Sequence, residues 1–314
     1  MNYQYYNSKN NGKDDYGLKY IDEQGYGLIC KDYKLEFPPQ HQDTQPGMEY
    51  LMNPRPIFNN PYYRAAGKLI GKVAIITGGD SGIGRAVAVG FAKEGATVVI
   101  VYYNEEKDAK ETKEFIERIG GTCIILSGDV KKPDFCNKIV EETLKKFGKI
   151  DILVNNAGVQ YQQKSLLNIT DEQFDLTIKT NVYAMFYLTK AALKNMLPGG
   201  SIINVTSITT FKGEPELIDY VTSKGAIVGF TRSLATNLAK KNIRVNAIAP
   251  GVFWTPLQPA CWEAEKIPTL GSDAPMGRAG HPYEIAPLFI YLACDDSSYV
   301  TGQVIHVNGG EYKG

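Results

Sequence analysis

Tyr220 and Lys224 stand four residues apart in a stretch, 219–240, that reads as helix, so both side chains project from one face. A free phenol titrates at about pH 10 and is a poor acid or base at neutral pH. A lysine ammonium beside it favours the phenolate and makes the pair able to move a proton. The same spacing also describes a solvated surface pair, and these two residues alone do not decide. A second feature is the run TGGDSGIG, 77–84, in which Thr77 and Gly78 end an apolar stretch and Gly82, Ile83 and Gly84 open an amphipathic one. Glycines let the backbone turn sharply and approach a pyrophosphate, while a helix N-terminus offers unpaired N–H groups and a partial positive charge. No Gly-Lys-Ser/Thr follows, so a P-loop is excluded and a dinucleotide is the expected ligand.

Something must hold these groups together. From Gly71 onward short apolar runs alternate with amphipathic stretches: KVAIIT (72–77), ATVVIVYY (96–103), TCIIL (122–126), IDILVNN (150–156), SIINVTS (201–207), IRVNAIAP (243–250) and QVIHV (303–307). Between the third and fourth, Phe135, Ile139, Val140, Leu144 and Phe147 follow a period of 3.6, which predicts a helix over 131–147. Near-continuous apolar strands separated by helices imply an α/β fold, a doubly wound parallel sheet of about seven strands with helices on both faces. Such sheets bind ligands at the carboxyl ends of their strands, where both features lie.

Composition narrows the partners. Of 314 residues, 34 are basic and 34 acidic, a formal net charge of zero, which argues against nucleic acid. No run approaches a membrane span and the N-terminus lacks an apolar leader region, so a cytoplasmic protein is expected. The five cysteines, at 30, 123, 136, 261 and 294, and the three histidines, at 41, 281 and 306, are scattered. They suggest reduced thiols and no metal site. Residues 1–66 hold ten of the twenty tyrosines, with FPPQHQDTQPG (37–47) and MNPRPIF (52–58). They read as an arm, either packed on a surface or largely disordered, preceding a catalytic domain over 67–314. YGLKYID (16–22) and YGLICKD (26–32) suggest two short strands within it.

In their order along the chain, TGGDSGIG, NNAG (155–158) and YVTSK (220–224) resemble the TGxxxGxG, NNAG and YxxxK motifs of the short-chain dehydrogenase/reductase family. The similarity runs from Lys68 to the C-terminus and includes Asp129-Val130, Asn181 in KTNV, Ser207 thirteen residues before Tyr220, and PGVFWT at 250–255. The FPPQ…QPG arm further resembles a bacterial, often stress-associated subgroup. The resemblance implies a Rossmann-type fold and an NAD(P)-dependent alcohol dehydrogenase or carbonyl reductase. Tyr220 would be the proton donor and acceptor, Lys224 would hold the nicotinamide ribose, Ser207 would orient the substrate oxygen, and Asn181 would hold a relay water. Asp129 and Val130 would flank the adenine, Asn156-Ala157-Gly158 the adenosine ribose, and Pro250, Gly251, Val252 and Thr255 the carboxamide end. Relatives are usually homotetramers. A nucleotide-sensing or structural protein on the same fold is the other reading, and an epimerase or dehydratase a third.

The choice of cofactor rests on the residues near the ribose. An acidic group after the second strand usually grips the ribose hydroxyl of NAD, while a cation accommodates the extra phosphate of NADP. Tyr103 and Asn104 stand there, followed by Glu105 and Glu106, and the glycine turn offers Asp80 and Ser81. A 2′-phosphate would meet like charge, which favours NAD, with Arg85 or Lys107 as the cations through which NADP remains open. The segment 250–275 carries both tryptophans, Trp254 and Trp262, and is expected either to form a lid with an apolar wall or to pack in the core or at a subunit contact.

Overall fold

A strand made only of apolar and small residues must be covered on both faces, and β1 (Val73–Thr77) is buried along its whole length. In the computed structural model, which describes residues 37–314, β1 is third in an all-parallel sheet of order β3-β2-β1-β4-β5-β6-β7. The other strands are β2 (Thr97–Tyr102), β3 (Thr122–Ser127), β4 (Ile150–Asn155), β5 (Met196–Val205), β6 (Arg244–Pro250) and β7 (Val304–Val307). The helices are α1 (Gly82–Lys93), α2 (Glu106–Arg118), α3 (Pro133–Phe147), α4 (Asp171–Ile178), α5 (Ala184–Ala192), α6 (Thr209–Lys212), α7 (Ile218–Leu238) and α8 (Pro282–Ala293). All seven expected strands are present, as is the Rossmann-type arrangement. One start differs by more than a residue: β5 begins at Met196 rather than 201, because the β4–β5 register slips between Ile150 and Ile152 and draws the preceding residues into the ladder.

Strand side chains alternate between two cores. Ala74, Ile76, Val98, Ile100 and Val154 join Phe91 of α1, Ile116 of α2 and Phe289 of α8. Ile75, Val99, Leu153, Ile202 and Val245 join Ile139 of α3, Leu188 of α5 and Leu238 of α7. The ends of α3 follow from its sequence: Pro133 opens it, where a missing N–H costs nothing, and Gly148 closes it at φ 78° with its N–H on the Leu144 carbonyl, 2.8 Å away. The strand order reverses between β1 and β4, leaving a crevice at their carboxyl ends. No helix among the described residues is long and apolar enough to cross a membrane.

The compact unit runs from Phe37 to Gly314, so the boundary expected after residue 66 lies inside it. Residues 37–66 have little regular structure, yet Phe37, Met52 and Ile57 are buried. Irregular backbone leaves no periodicity to read, which is why this packing is invisible in the sequence. Glu49 is fully buried and receives the Gly82 N–H at 2.6 Å and the Arg85 guanidinium at 2.6 Å. The Glu49 and Tyr50 amides in turn donate to Asp108 on α2, at 2.7 and 3.0 Å. The YGLKYID and YGLICKD runs lie outside the described residues.

Candidate active site

A cavity of about 540 Å³ opens over the crevice and extends from the glycine turn to Tyr220 and the segment beyond β6. Its turn is built so that only glycine fits. A Cβ on Gly84 would lie 1.8 Å from the Gly78 carbonyl, and Gly78 and Gly82 have φ of 60° and 51°. Thr77 stands behind the turn and accepts the Asn156 and Ala157 amides, each at 3.0 Å, which ties β1 to the NNAG loop. Of the residues proposed from sequence to hold the cofactor, Gly78, Asp80, Ser81, Gly82, Ile83, Tyr103, Asp129, Val130, Asn156, Ala157 and Gly158 line this end, whereas Thr77, Gly84 and Asn104 do not. Asp80 is buried, and its Oδ2 has no partner. Burial and then the nearby Glu105 push its carboxyl well above the usual range. A helix N-terminus, a glycine cradle and an orphaned carboxyl oxygen beside it fit a nicotinamide dinucleotide lying with its pyrophosphate on the turn.

The two cations considered for a 2′-phosphate are occupied elsewhere. Arg85 is buried and donates to Glu49, Thr112 and the carbonyls of Asp80 and Asp108, and the Lys107 ammonium sits 4.1 Å from the Tyr50 ring centroid. Glu105, read from sequence as a free acid at the ribose, is buried and accepts the Tyr103 and Asn104 amides at 3.0 and 2.8 Å. Lys131, which sequence reasoning missed, lines the cavity here, pairs with Asp129 at 3.2 Å and lies 5.4 Å from the Tyr103 ring centroid. Nothing in its local sequence marks it.

Deeper in the cavity, α7 presents Tyr220 and Lys224 from one face, with the ammonium 5.4 Å from the phenol ring centroid. Both are buried, so the surface-pair reading fails. Lys224 Nζ donates to the Val205 carbonyl at 2.9 Å. Ser207 lies two residues past β5, lines the cavity, and accepts the Thr209 amide at 3.2 Å and hydroxyl at 2.9 Å. Burial pushes the Tyr220 phenol up to about 12, with Ser207 acting in the opposite direction, and draws Lys224 down to about 8. The lowered phenol expected from the lysine is therefore not supplied by these residues alone, because desolvation outweighs the Ser207 hydrogen bond. Asn181 stands in a π-helical turn, Lys179–Tyr183, and does not line this cavity. Its amide receives the Val159 N–H at 2.9 Å and donates to the Val159 carbonyl at 3.0 Å and to Ser223 at 2.9 Å.

The two tryptophans differ in place, one in the core and one on the cavity wall. Trp254 is fully buried and stacks on Phe37, centroids 4.0 Å apart, with its indole N–H on the Pro54 carbonyl. Trp262 lines the cavity, with the Lys266 ammonium 3.6 Å from its ring centroid. Pro250, Gly251, Val252 and Thr255 line it, and so do Gln45, Pro46 and Gly47, which the sequence did not indicate. Cys261 is a buried thiol pushed up to about 12 by burial.

Residues 78–311 match the family described as Enoyl-(Acyl carrier protein) reductase. An uncharacterised oxidoreductase of Bacillus subtilis (strain 168) is 58% identical over 282 residues, covering 90% of this chain and 98% of that protein. The glucose and ribitol dehydrogenase of Daucus carota is 48% identical, covering 88% and 97%. Among solved structures, a short chain dehydrogenase from Burkholderia cenocepacia J2315 in complex with NADP is 29% identical with a TM-score of 0.73, covering 78% of this chain and 99% of that one. Matched along its dinucleotide turn, its NNAG loop and its Tyr-Lys helix, the chain belongs to the short-chain dehydrogenase/reductase family of NAD(P)-dependent oxidoreductases.

Proposed function

We propose that this protein oxidises an alcohol, or reduces the corresponding carbonyl, of a small uncharged polyhydroxylated substrate. The observation that carries this reading is the buried Tyr220–Lys224 pair with Ser207 beside it, facing one cavity with the glycine turn. Nicotinamide dinucleotide bound on the turn supplies or accepts the hydride at the carbon of the reacting C–O group. Tyr220 gives a proton to the substrate oxygen in reduction and removes it in oxidation, and the Ser207 hydroxyl holds that oxygen. Lys224 favours the phenolate and reaches the nicotinamide ribose. Asn181 holds the Val159 backbone and Ser223 behind Lys224, which suits the relay position assigned to it.

The uncharged substrate is argued from the rim. Lys212 pairs with Glu311 and Lys266 pairs with Glu216, so both lysines are neutralised by carboxylates and offer little to an anionic substrate. The name of the carrot relative, a glucose and ribitol dehydrogenase, agrees with this class. NAD is proposed over NADP because Asp80 and Glu105 face the ribose end and Lys131 is already paired with Asp129. Buried free thiols at 123, 136, 261 and 294 suit a reducing compartment such as the cytoplasm.

Turnover tests the assignment. A panel of polyols, aldoses and short aldehydes with either cofactor identifies a substrate by absorbance of the reduced nicotinamide. On that substrate Tyr220→Phe is expected to reduce kcat by at least about a hundredfold while NADH binding persists. Undiminished turnover in the variant removes Tyr220 as the acid/base. A protein that binds NADH but turns over nothing in the panel favours the nucleotide-sensing alternative.

A further inference from the structure

Gln45 treats the loop after the NNAG motif as Asn181 does, at the next residue along. Asn181 grips both backbone groups of Val159, accepting its N–H and donating to its carbonyl. One residue later, the Gln45 amide accepts the Gln160 N–H at 3.0 Å and donates to the Gln160 carbonyl. The same Nε2 also reaches the Ala260 carbonyl, 3.2 Å away in the segment beyond β6. Gln160 is buried, lines the cavity, and adjoins Tyr161, which lines it too. The contact is tight on both flanks. A Cβ on neighbouring Gly47 would lie 2.4 Å from the Pro256 carbonyl, and the Gln42 amide donates to Pro259 at 2.8 Å.

We propose that Gln45 is a positioning residue of the catalytic site, a clamp that joins the Gln160 loop to the Ala260 segment and sets the width of the substrate end of the cavity. Loop 156–161 carries the groups that flank the cofactor at one end and face the substrate at the other, so holding Gln160 fixes the second without touching the first. The N-terminal segment is thereby a wall of the active site. This inference rests on the reading of the cavity as the substrate site of an oxidoreductase.

The test compares the full-length enzyme with Gln45→Met, which keeps the side chain's length and removes all three hydrogen bonds, and with Gln45→Asn, an amide one methylene short. Loss of these bonds is expected to raise KM about tenfold for the best substrate of the panel, with kcat within about threefold. NADH affinity, read by fluorescence titration, and thermal midpoint should stay close to those of the parent. A KM within about twofold of the parent in both variants overturns the proposal. So does a parallel fall of kcat, NADH affinity and midpoint, which marks a purely structural contact. Tyr220→Phe is the independent control: if it turns over normally, the acid/base reading fails while the Gln45 effect on KM stands or falls by itself.

Discussion

At the residue scale the cofactor preference is a contest between two carboxyl groups and one compromised cation. Asp80 and Glu105 are buried beside the glycine turn, and burial pushes both upward, toward the neutral form. A dianionic phosphate beside them makes ionising either carboxyl costlier still and gains no free cation, since Lys131 has Asp129 as a competing partner. One like-charge contact near a surface is worth about 1 kcal/mol, so NADH is expected to bind about fivefold more tightly than NADPH in a fluorescence titration. A tenfold preference for NADPH overturns that charge argument. The acids, Tyr220, Lys224 and Ser207 were legible from sequence because each follows a strand or rides on a helix whose period places it. Lys131 and Gln45 were not: their relevance comes from neighbours far along the chain.

At the element scale, seven strands and α7 follow from apolar runs and periodicity, whereas α8 shows what a cap adds. His281 precedes Pro282 at its start, and the His281 amide donates to Glu284 at 2.7 Å, part of a capping box. Its ring is buried, with Nε2 unpartnered, and faces the Ile57 amide, Glu284 and Arg278. Burial lowers it from 6.5 to about 4. As pH falls the unfolded chain takes up this proton before the folded one does. The contribution is thus full above pH 6.5 and lost as pH falls toward about 4, a loss of up to about 3 kcal/mol. Urea unfolding between pH 7 and 4 should therefore show a shallower decline in His281→Gln than in the parent; equal slopes reject this role for the ring. The β5 start was misread for a reason of the same scale, since the residues before 201 carry no strand pattern and join the ladder only through the register slip with β4.

For the whole molecule, residues 37–66 are part of the fold rather than an appendage. Glu49 supports the glycine turn, Phe37 stacks on Trp254, and Gln45 lines the cavity and bonds to Gln160 and Ala260. Aromatic groups remain on the outside of the helical layer. Tyr183 and Phe186 are each more than two-fifths exposed, and Phe186 meets Tyr187 on α5 and Phe230 on α7 edge to face. A contiguous aromatic face of this kind is costly in water, and we propose that a second copy covers it within a homotetramer. Light scattering is expected to give four times the chain mass, and a concentration-independent monomer overturns the assembly.

The sequence by itself determined the sheet and the glycine turn, because these depend on local periodicity and on glycines that no other residue can replace; it placed Tyr220 and Lys224 on one helix face, and only their burial removed the surface-pair reading. Only the tertiary structure decided that Glu49 occupies Arg85, that Lys131 lines the cavity paired with Asp129, and that Gln45 spans from Gln160 to Ala260. Those contacts join irregular segments distant in sequence. A buried charge or amide selects its partner by geometry after the chain has packed, and no local pattern records that choice.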